Sequence, residues 1–288
     1  MYDDLSKTWG VVAVNGELKP AGEALVSAFD RGFLYGDGIY ETVRVYSGEP
    51  FMLDAHLARM VKGCAAIGMD PPDMGEVKSA ALRVLEANDL GEAYLRITVT
   101  RGATGRLWYD AASTEPTVFV IAKPYTPPDF EEGLRLTVST FRSDERSPLS
   151  GVKQIGILSK ILARGEALRK GYKDALLLDT SGHVSEATSS NAFWVAGNEL
   201  FTPSASCGIL LGITRRVIME IAREQEIPVR EGEFPLEAAS QAEELFLTSS
   251  TSEITPVRSL DGSEFQLGPM TRLLMNGYRA RVTAWLGG

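Results

Sequence analysis

The hydrophobic pattern of the first half predicts strands joined by turns, with two amphipathic helices. Apolar residues recur at helical spacing from Asp54, which we expect to cap one helix, and again over 74–88. The strand-like runs lie at 11–14, 39–46, 93–100 and 117–122. Because the first run ends at Asn15-Gly16, we expect an antiparallel start.

The second half is richer in strand signals. Helices are predicted from near Ile155 to Arg169, from Thr214, and from about Pro269. Strands are predicted at 134–140, 175–178, 184 onward, 192–195, 200–201, 228–231, 244–248 and 254–259. The elements do not alternate regularly, as they would in a doubly wound sheet. An α/β (α+β) chain with a strand-rich second half is the expected fold class.

Three prolines between positions 123 and 129 mark the predicted domain boundary. Proline lacks a backbone N–H donor and is poorly tolerated inside helices and sheets. We therefore expect a smaller N-terminal α/β domain over 1–122, a linker over 123–128, and a larger C-terminal domain over 129–288.

Charge and composition narrow the chemistry. The formal net charge is −9, and the basic residues are scattered, which argues against nucleic acid as a partner. With two cysteines and two histidines, neither a disulfide framework nor a histidine-rich metal centre is expected. No apolar run is long enough to span a membrane, so we expect a cytoplasmic protein acting on small molecules.

Two segments have the chemistry of anion sites. Gly212-Ile213-Thr214 precedes a predicted helix, whose N-terminus offers amide donors and a positive dipole end to a phosphate. Thr248-Ser249-Ser250-Thr251-Ser252 ends a predicted strand, where hydroxyls and turn amides can form a second anion nest. Each segment alone also fits an ordinary helix cap or a Ser/Thr-rich turn.

Three arginines are candidates for binding a carboxylate or a phosphate. Arg59 lies on the first predicted helix, Arg96 alternates with apolar residues in a strand, and Arg106 sits in a glycine-flanked loop. A guanidinium fork suits carboxylates, so a small acidic substrate fits here. Solvated side chains or surface ion pairs are the alternative interpretation.

The remaining candidates are a lysine and a glutamate. Lys153 precedes an apolar helix, but composition does not separate it from Lys160, which we expect to face solvent on that helix. Glu186 lies among hydroxyls and an amide that could hold its carboxylate, or it forms a salt bridge in the hairpin. The residues alone therefore predict an anion-binding enzyme of two domains.

Five segments in order resemble the fold-type IV (class IV) pyridoxal-phosphate-dependent aminotransferase family, which includes D-amino acid and branched-chain aminotransferases and aminodeoxychorismate lyases. The resemblance extends over almost the whole chain. The segments are Asp30 to Glu41 (DRGFLYGDGIYE), His56 to Arg59 (HLAR), Val184 to Phe193 (VSEATSSNAF), Leu211 to Arg215 (LGITR) and Thr248 to Val257 (TSSTSEITPV). The resemblance implies a two-domain fold with a C-terminal pseudo-barrel, pyridoxal 5′-phosphate as cofactor, and a homodimer.

Residue roles follow from the same resemblance. Lys153 resembles the lysine that holds the cofactor as a Schiff base and later shuttles a proton, and Glu186 the carboxylate that faces the pyridine nitrogen. The phosphate would be held by Arg59, Ile213, Thr214, Ser250 and Thr251, with Leu210 packed on the ring. The substrate would be held by Tyr40, Arg96, Arg106 and Ser252.

The subtype stays open between three activities. The run from Arg101 to Arg106 and the Thr248 segment most resemble D-amino acid aminotransferases, although Trp108 replaces the histidine that accompanies the loop arginine there. Glu41-Thr42-Val43-Arg44 is closer to the lyases, which would release pyruvate and 4-aminobenzoate. Tyr94-Leu95-Arg96 partly resembles an element of the branched-chain enzymes. We rank D-amino acid transamination first, lyase chemistry second and branched-chain transamination third.

Overall fold

A computed structural model describes residues 9–104, 115–127 and 132–287 of the protein. The chain divides into two compact units. Unit 1 comprises Met1–Thr126 and Val152–Gly156, and unit 2 comprises Pro127–Gly151 and Ile157–Gly288. The domain predicted over 129–288 thus includes a short segment that the structure groups with unit 1. In the described ranges, no helix has both the length and the apolar character needed to cross a bilayer.

Unit 1 is built on a six-stranded sheet. Its strands are β1 (Val11–Val14), β2 (Glu17–Pro20), β3 (Gly38–Tyr46), β4 (Glu49–Pro50), β5 (Ala93–Thr100) and β6 (Thr117–Pro124). They follow the order β2-β1-β6-β5-β3-β4 with antiparallel pairing throughout. The antiparallel start predicted from Asn15-Gly16 is confirmed, and β6 extends two residues into the predicted linker.

In the part of unit 1 that the structure describes, this sheet is accompanied by the α-helices α1 (Arg31–Tyr35), α2 (Leu53–Ala66) and α3 (Met74–Ala87). Helix α2 packs on β3, and α3 packs on β1 and β6, which buries apolar residues from both faces of the contact. The predicted cap at Asp54 is wrong. Helix α2 starts after Met52, and Asp54 lies in the first turn, paired with Lys78.

Unit 2 contains a sheet of nine strands. They are β7 (Leu134–Ser143), β8 (Asp174–Asp179), β9 (Val184–Ala187), β10 (Asn191–Ala196), β11 (Glu199–Pro203), β12 (Val229–Gly232), β13 (Glu244–Ser249), β14 (Glu253–Leu260) and β15 (Ser263–Glu264). The order is β12-β11-β10-β13-β14-β7-β8-β9, and β15 pairs with β14. Strand β9 also pairs with β10 through Glu186 and Asn191, which closes six strands into a barrel. The predicted fold class is confirmed.

The helices of unit 2 are α4 (Leu158–Arg169), α5 (Ile213–Glu224), α6 (Leu236–Ser240) and α7 (Pro269–Leu286). Helix α4 packs on β7 and β8, and α5 packs on α7. Helix α4 was expected to begin near Ile155. It begins three residues later because the backbone of 153–155 pairs with the start of β3 instead.

Candidate active site

Lys153 is fixed in unit 1 through its backbone. The carbonyl oxygen of Lys153 accepts a hydrogen bond from Tyr40 N at 3.0 Å, and Ile155 N donates to Gly38 O at 3.0 Å. This short segment therefore lies along β3 like an added strand. The Lys153 ammonium is half-buried, 4.6 Å from the centroid of the Tyr40 ring, at a distance typical of a cation–π contact.

Arg96 meets the same tyrosine. In the antiparallel pairing of β3 with β5, Tyr40 lies opposite Thr98, so Arg96 is its diagonal neighbour on the same face of the sheet. The Arg96 guanidinium carbon is 3.9 Å from the Tyr40 ring centroid. The opposite face carries buried Ile39 and Ile97. Two of the predicted substrate residues thus lie beside the predicted cofactor lysine, within one unit.

Arg59 belongs to a buried polar cluster behind this strand. Its Nε and Nη2 donate to the two oxygens of Glu41 at 2.7 Å each, and His56 Nδ1 lies 2.8 Å from Glu41 Oε2. Burial alone would raise the pKa of Glu41, but hydrogen bonds from Arg59 and His56 outweigh it and lower the pKa to about 2. Burial also lowers the pKa of His56, against the effect of Glu41. The role of Arg59 as a phosphate ligand stays a prediction.

Glu186 is the centre of a second set of contacts, in unit 2. It lies in β9, and its carboxylate is buried. Oε2 accepts hydrogen bonds from Asn191 Nδ2 and from the backbone N of Leu210, both at 3.1 Å. Asn191 also donates to the Leu210 carbonyl oxygen at 2.7 Å, so one amide ties the strand to the loop before α5.

Lys160 does not simply face solvent, as the sequence led us to expect. Its ammonium lies 2.6 Å from Glu186 Oε1, and its side chain is 32% exposed. The position falls in line with Ala163 and Ala167, the buried residues of α4, at the i, i+3 and i+7 spacing of one helix face. Glu186 thus forms a salt bridge to a lysine of helix α4, and not within the hairpin as the sequence analysis considered.

The two predicted phosphate segments both lie in unit 2. Ile213 and Thr214 are the first residues of α5, and both are buried. The residue before them, Gly212, makes no side-chain cap, so the first turn of α5 offers its amide groups to a ligand. Ser250, Thr251 and Ser252 form the turn between β13 and β14. Next to that turn, Thr248 Oγ1 is buried without a hydrogen-bond partner among the described residues.

A close approach explains the glycine before α5. A Cβ atom at Gly212 would stand 2.2 Å from Asn191 Oδ1. Since Asn191 is opposite Thr248 in the pairing of β10 with β13, it connects the helix start, Glu186 and the polar turn. The other predicted residues, Arg106 and the neighbouring Trp108, lie outside the described residues.

Known proteins resemble this chain in sequence and in fold. The profile of the family described as Amino-transferase class IV matches residues 38–260. The chain belongs to the class IV aminotransferase family. It is an enzyme of this family, as predicted, and pyridoxal 5′-phosphate is the family's cofactor.

The relatives differ in the substrates that their names state. A putative branched-chain-amino-acid aminotransferase of Methanocaldococcus jannaschii is 37% identical over 95% of this chain and 97% of its own. A D-alanine aminotransferase of Staphylococcus haemolyticus is 31% identical over 94% and 97%. A branched-chain aminotransferase of Thermoproteus uzoniensis, solved with norvaline, shares 30% identity and a TM-score of 0.89 over 94% of each chain.

A lyase is also among the similar structures. The 4-amino-4-deoxychorismate lyase of Pseudomonas aeruginosa is 30% identical, with a TM-score of 0.85 over 93% of this chain and 98% of its own. The similar proteins therefore share one family. Their names include all three activities that the sequence left open.

Taken in each unit separately, the chemistry of the predicted residues fits pyridoxal 5′-phosphate. The start of α5, with its uncapped amides and buried Thr214, suits the phosphate. The buried carboxylate of Glu186 suits the basic ring nitrogen, and the Lys153 amine suits the aldehyde. The sequence analysis did not assign a role to Asn191 or Glu41, and it placed Lys160 in solvent. The hydroxyl-rich run around Asn191 could have indicated that residue, and the spacing of Lys160 to Ala163 and Ala167 could have placed Lys160 on the buried face of α4.

Proposed function

We propose that this protein transfers an amino group between an amino acid and a 2-oxo acid, with a D-amino acid as the preferred substrate. The observation that carries the transamination proposal is the convergence of Lys153 and Arg96 on Tyr40. A reactive amine next to a guanidinium group suits amino acid and 2-oxo acid substrates, and Arg96 would meet the second carboxylate of a dicarboxylic one.

The proposal assigns a role to each predicted residue. When bound, pyridoxal 5′-phosphate supplies an electron sink for the charge that develops at the substrate α-carbon. Lys153 would hold the cofactor aldehyde, and its released amine would take the proton from the α-carbon as general base and deliver it to the cofactor's C4′ carbon as general acid. Glu186 would face the ring nitrogen and keep it protonated. The phosphate would be held by Ile213, Thr214, Ser250 and Thr251 with Arg59, and Leu210 would pack on the ring.

The preference for D-amino acids rests on the loop from Arg101 to Arg106 and on relatives named D-alanine aminotransferase. Arg106 would hold the substrate α-carboxylate, and Ser252 and Tyr40 would line the substrate site. Branched-chain L-amino acid transamination is the second candidate. It is supported by the position of Arg96 in Tyr94-Leu95-Arg96 and by the relative at 37% identity. Lyase chemistry is the third outcome of the test.

A half-reaction screen tests the proposal. The cofactor-loaded enzyme is mixed with the D and L forms of alanine, glutamate and leucine, and with aminodeoxychorismate, while the visible cofactor band and the keto product are followed. We expect the band to bleach with D-alanine and D-glutamate at least tenfold faster than with their L forms. Faster bleaching with L-leucine would select the branched-chain activity, and pyruvate release from aminodeoxychorismate without bleaching would contradict transamination.

Two arginine variants sharpen the same screen. Arg106→Leu should raise KM for every amino acid, because all carry the α-carboxylate, by about tenfold or more for the loss of a charged contact. Arg96→Leu should raise KM for glutamate and leave KM for alanine unchanged, because the substitution removes only the contact with the second carboxylate, which alanine lacks. Equal effects of both variants on glutamate and alanine would reject this division of roles.

We also propose a homodimer. Large apolar side chains are exposed on both units. In unit 1 they are Leu25 (82% exposed), Phe29 (70%) and Phe33 (76%), and in unit 2 they are Leu158, Ile161, Leu162 and Leu168 of α4. Clusters of this kind mark protein interfaces more often than they remain in water. A second copy of the chain is the expected occupant in this family.

A further inference from the structure

The carboxylate of Glu186 is already extensively bonded. An ionised carboxylate has about four acceptor positions. Among the residues that the structure describes, Asn191 and the Leu210 amide occupy both positions of Oε2, and Lys160 occupies one on Oε1. The position that remains lies on Oε1, the oxygen that Lys160 contacts.

The fold holds Lys160 in this place. Helix α4 packs on β7 and β8, and β8 is the neighbour of β9, which carries Glu186. Ala163 and Ala167 continue the same face of α4 with small, fully buried side chains, which lets the helix lie close to the sheet. At 2.6 Å the ion pair is short, and Glu186 is almost completely buried, so solvent screens the pair weakly.

We propose that Lys160 is a positioning residue that shares Oε1 of Glu186 with the ring nitrogen of the cofactor and keeps the proton on that nitrogen. The inference rests on the proposed function, in which Glu186 faces the ring. The Lys160 ammonium pairs with the negative charge of Glu186, so a carboxylate anion with a protonated ring nitrogen is favoured over a neutral acid with a neutral ring. The proton shared by Oε1 and the ring nitrogen then stays on the nitrogen, where it is needed for the ring to accept electrons.

The test measures the ring nitrogen directly. Wild type, Lys160→Met and Lys160→Arg are loaded with cofactor labelled with ¹⁵N in the ring, and the ¹⁵N shift is recorded by NMR. In Lys160→Met we expect the shift to move toward that of unprotonated pyridine, and kcat to fall about tenfold with KM nearly unchanged. Lys160→Arg, which restores the cation, should return the shift and most of kcat.

Lys170→Met is the matched control, because Lys170 pairs with Glu166 at 2.7 Å just beyond α4 and not with Glu186. It should leave the ¹⁵N shift unchanged. If Lys160→Met does not fold, Lys160→Gln provides the same neutral change with a polar side chain. An unchanged shift in the neutral variants, or equal shifts in the Met and Arg variants, would overturn the proposal while the wild type still transaminates. A wild type that does not load the cofactor would overturn both this proposal and the proposed function.

Discussion

At the scale of single residues, the protein relies on charged groups that are buried and bonded to one another. Glu41 is fully buried and accepts from Arg59 and His56, and Glu186 accepts from Lys160, Asn191 and a backbone amide. A buried charge is tolerated only when such partners replace water. These networks therefore fix the side chains of Glu41 in unit 1 and of Glu186 in unit 2 in single positions.

The Glu41 cluster gives a prediction for stability against pH. The pKa of Glu41 in the fold, about 2, is below the ordinary value of 4.5, so the charged form of Glu41 stabilises the fold above about pH 4.5. That contribution declines as the pH falls from 4.5 toward 2. The lowered pKa of His56 acts in the same direction, because protonation below its ordinary value of 6.5 favours the unfolded chain.

Glu41→Gln should lower the free energy of unfolding by about 3 kcal/mol at pH 7, since it leaves the Arg59 charge without its counter-ion. The difference in free energy of unfolding between the variant and the wild type should become smaller as the pH approaches 3. Urea unfolding at several pH values measures this difference. Glu17→Gln is the control, because Glu17 pairs with Lys19 at an exposed site and should change stability by less than about 0.5 kcal/mol. A gap that stays constant with pH would contradict the assignment to Glu41.

At the scale of elements, periodicity predicted the long strands and helices well, and pairing between segments explains the differences. Strands β3, β5 and β6 were predicted from strand-forming runs bounded by turn signals, and buried residues alternate with half-buried ones along most of β5 and β6. The helix α4 was predicted to start near Ile155 instead of Leu158, because the bonds of 153–155 to β3 leave no signal in the local sequence. Short elements such as α1 and β4 contain too few residues for any period to be read.

Exposed apolar faces of two elements give a prediction for assembly. Phe33 lies on α1 and Ile161 on α4, with 76% and 57% of their surfaces exposed. If these faces bind a second copy, sedimentation of wild type should give twice the monomer mass of 31.3 kDa, and Phe33→Glu or Ile161→Glu should shift it toward one copy. Leu82→Glu on α3, at a singly exposed leucine, should leave the dimer intact. A wild-type mass of 31.3 kDa at all concentrations would contradict the homodimer.

At the scale of the whole molecule, the family, the fold class and the cofactor could be predicted because several motifs occur in a fixed order. The substrate could not, since its determinants are spread over loops whose sequence resembles three activities at once. The partner of Glu186 could not be predicted either. Lys160 is 26 positions away in the sequence and meets Glu186 only because α4 packs beside β8. Contacts of this kind depend on tertiary structure and leave little local signal.

In the proposed function the cofactor is carried by Lys153, and not by Lys160, which lies seven positions further along the chain. Reduction of the loaded enzyme with borohydride, followed by peptide mapping, tests it directly, because the reduced bond between lysine and cofactor survives digestion. We predict that the pyridoxyl label lies on Lys153 in the wild type and in Lys160→Met, and that Lys153→Ala carries none. Label on Lys160, or no label on Lys153 in a fully loaded sample, would contradict the account.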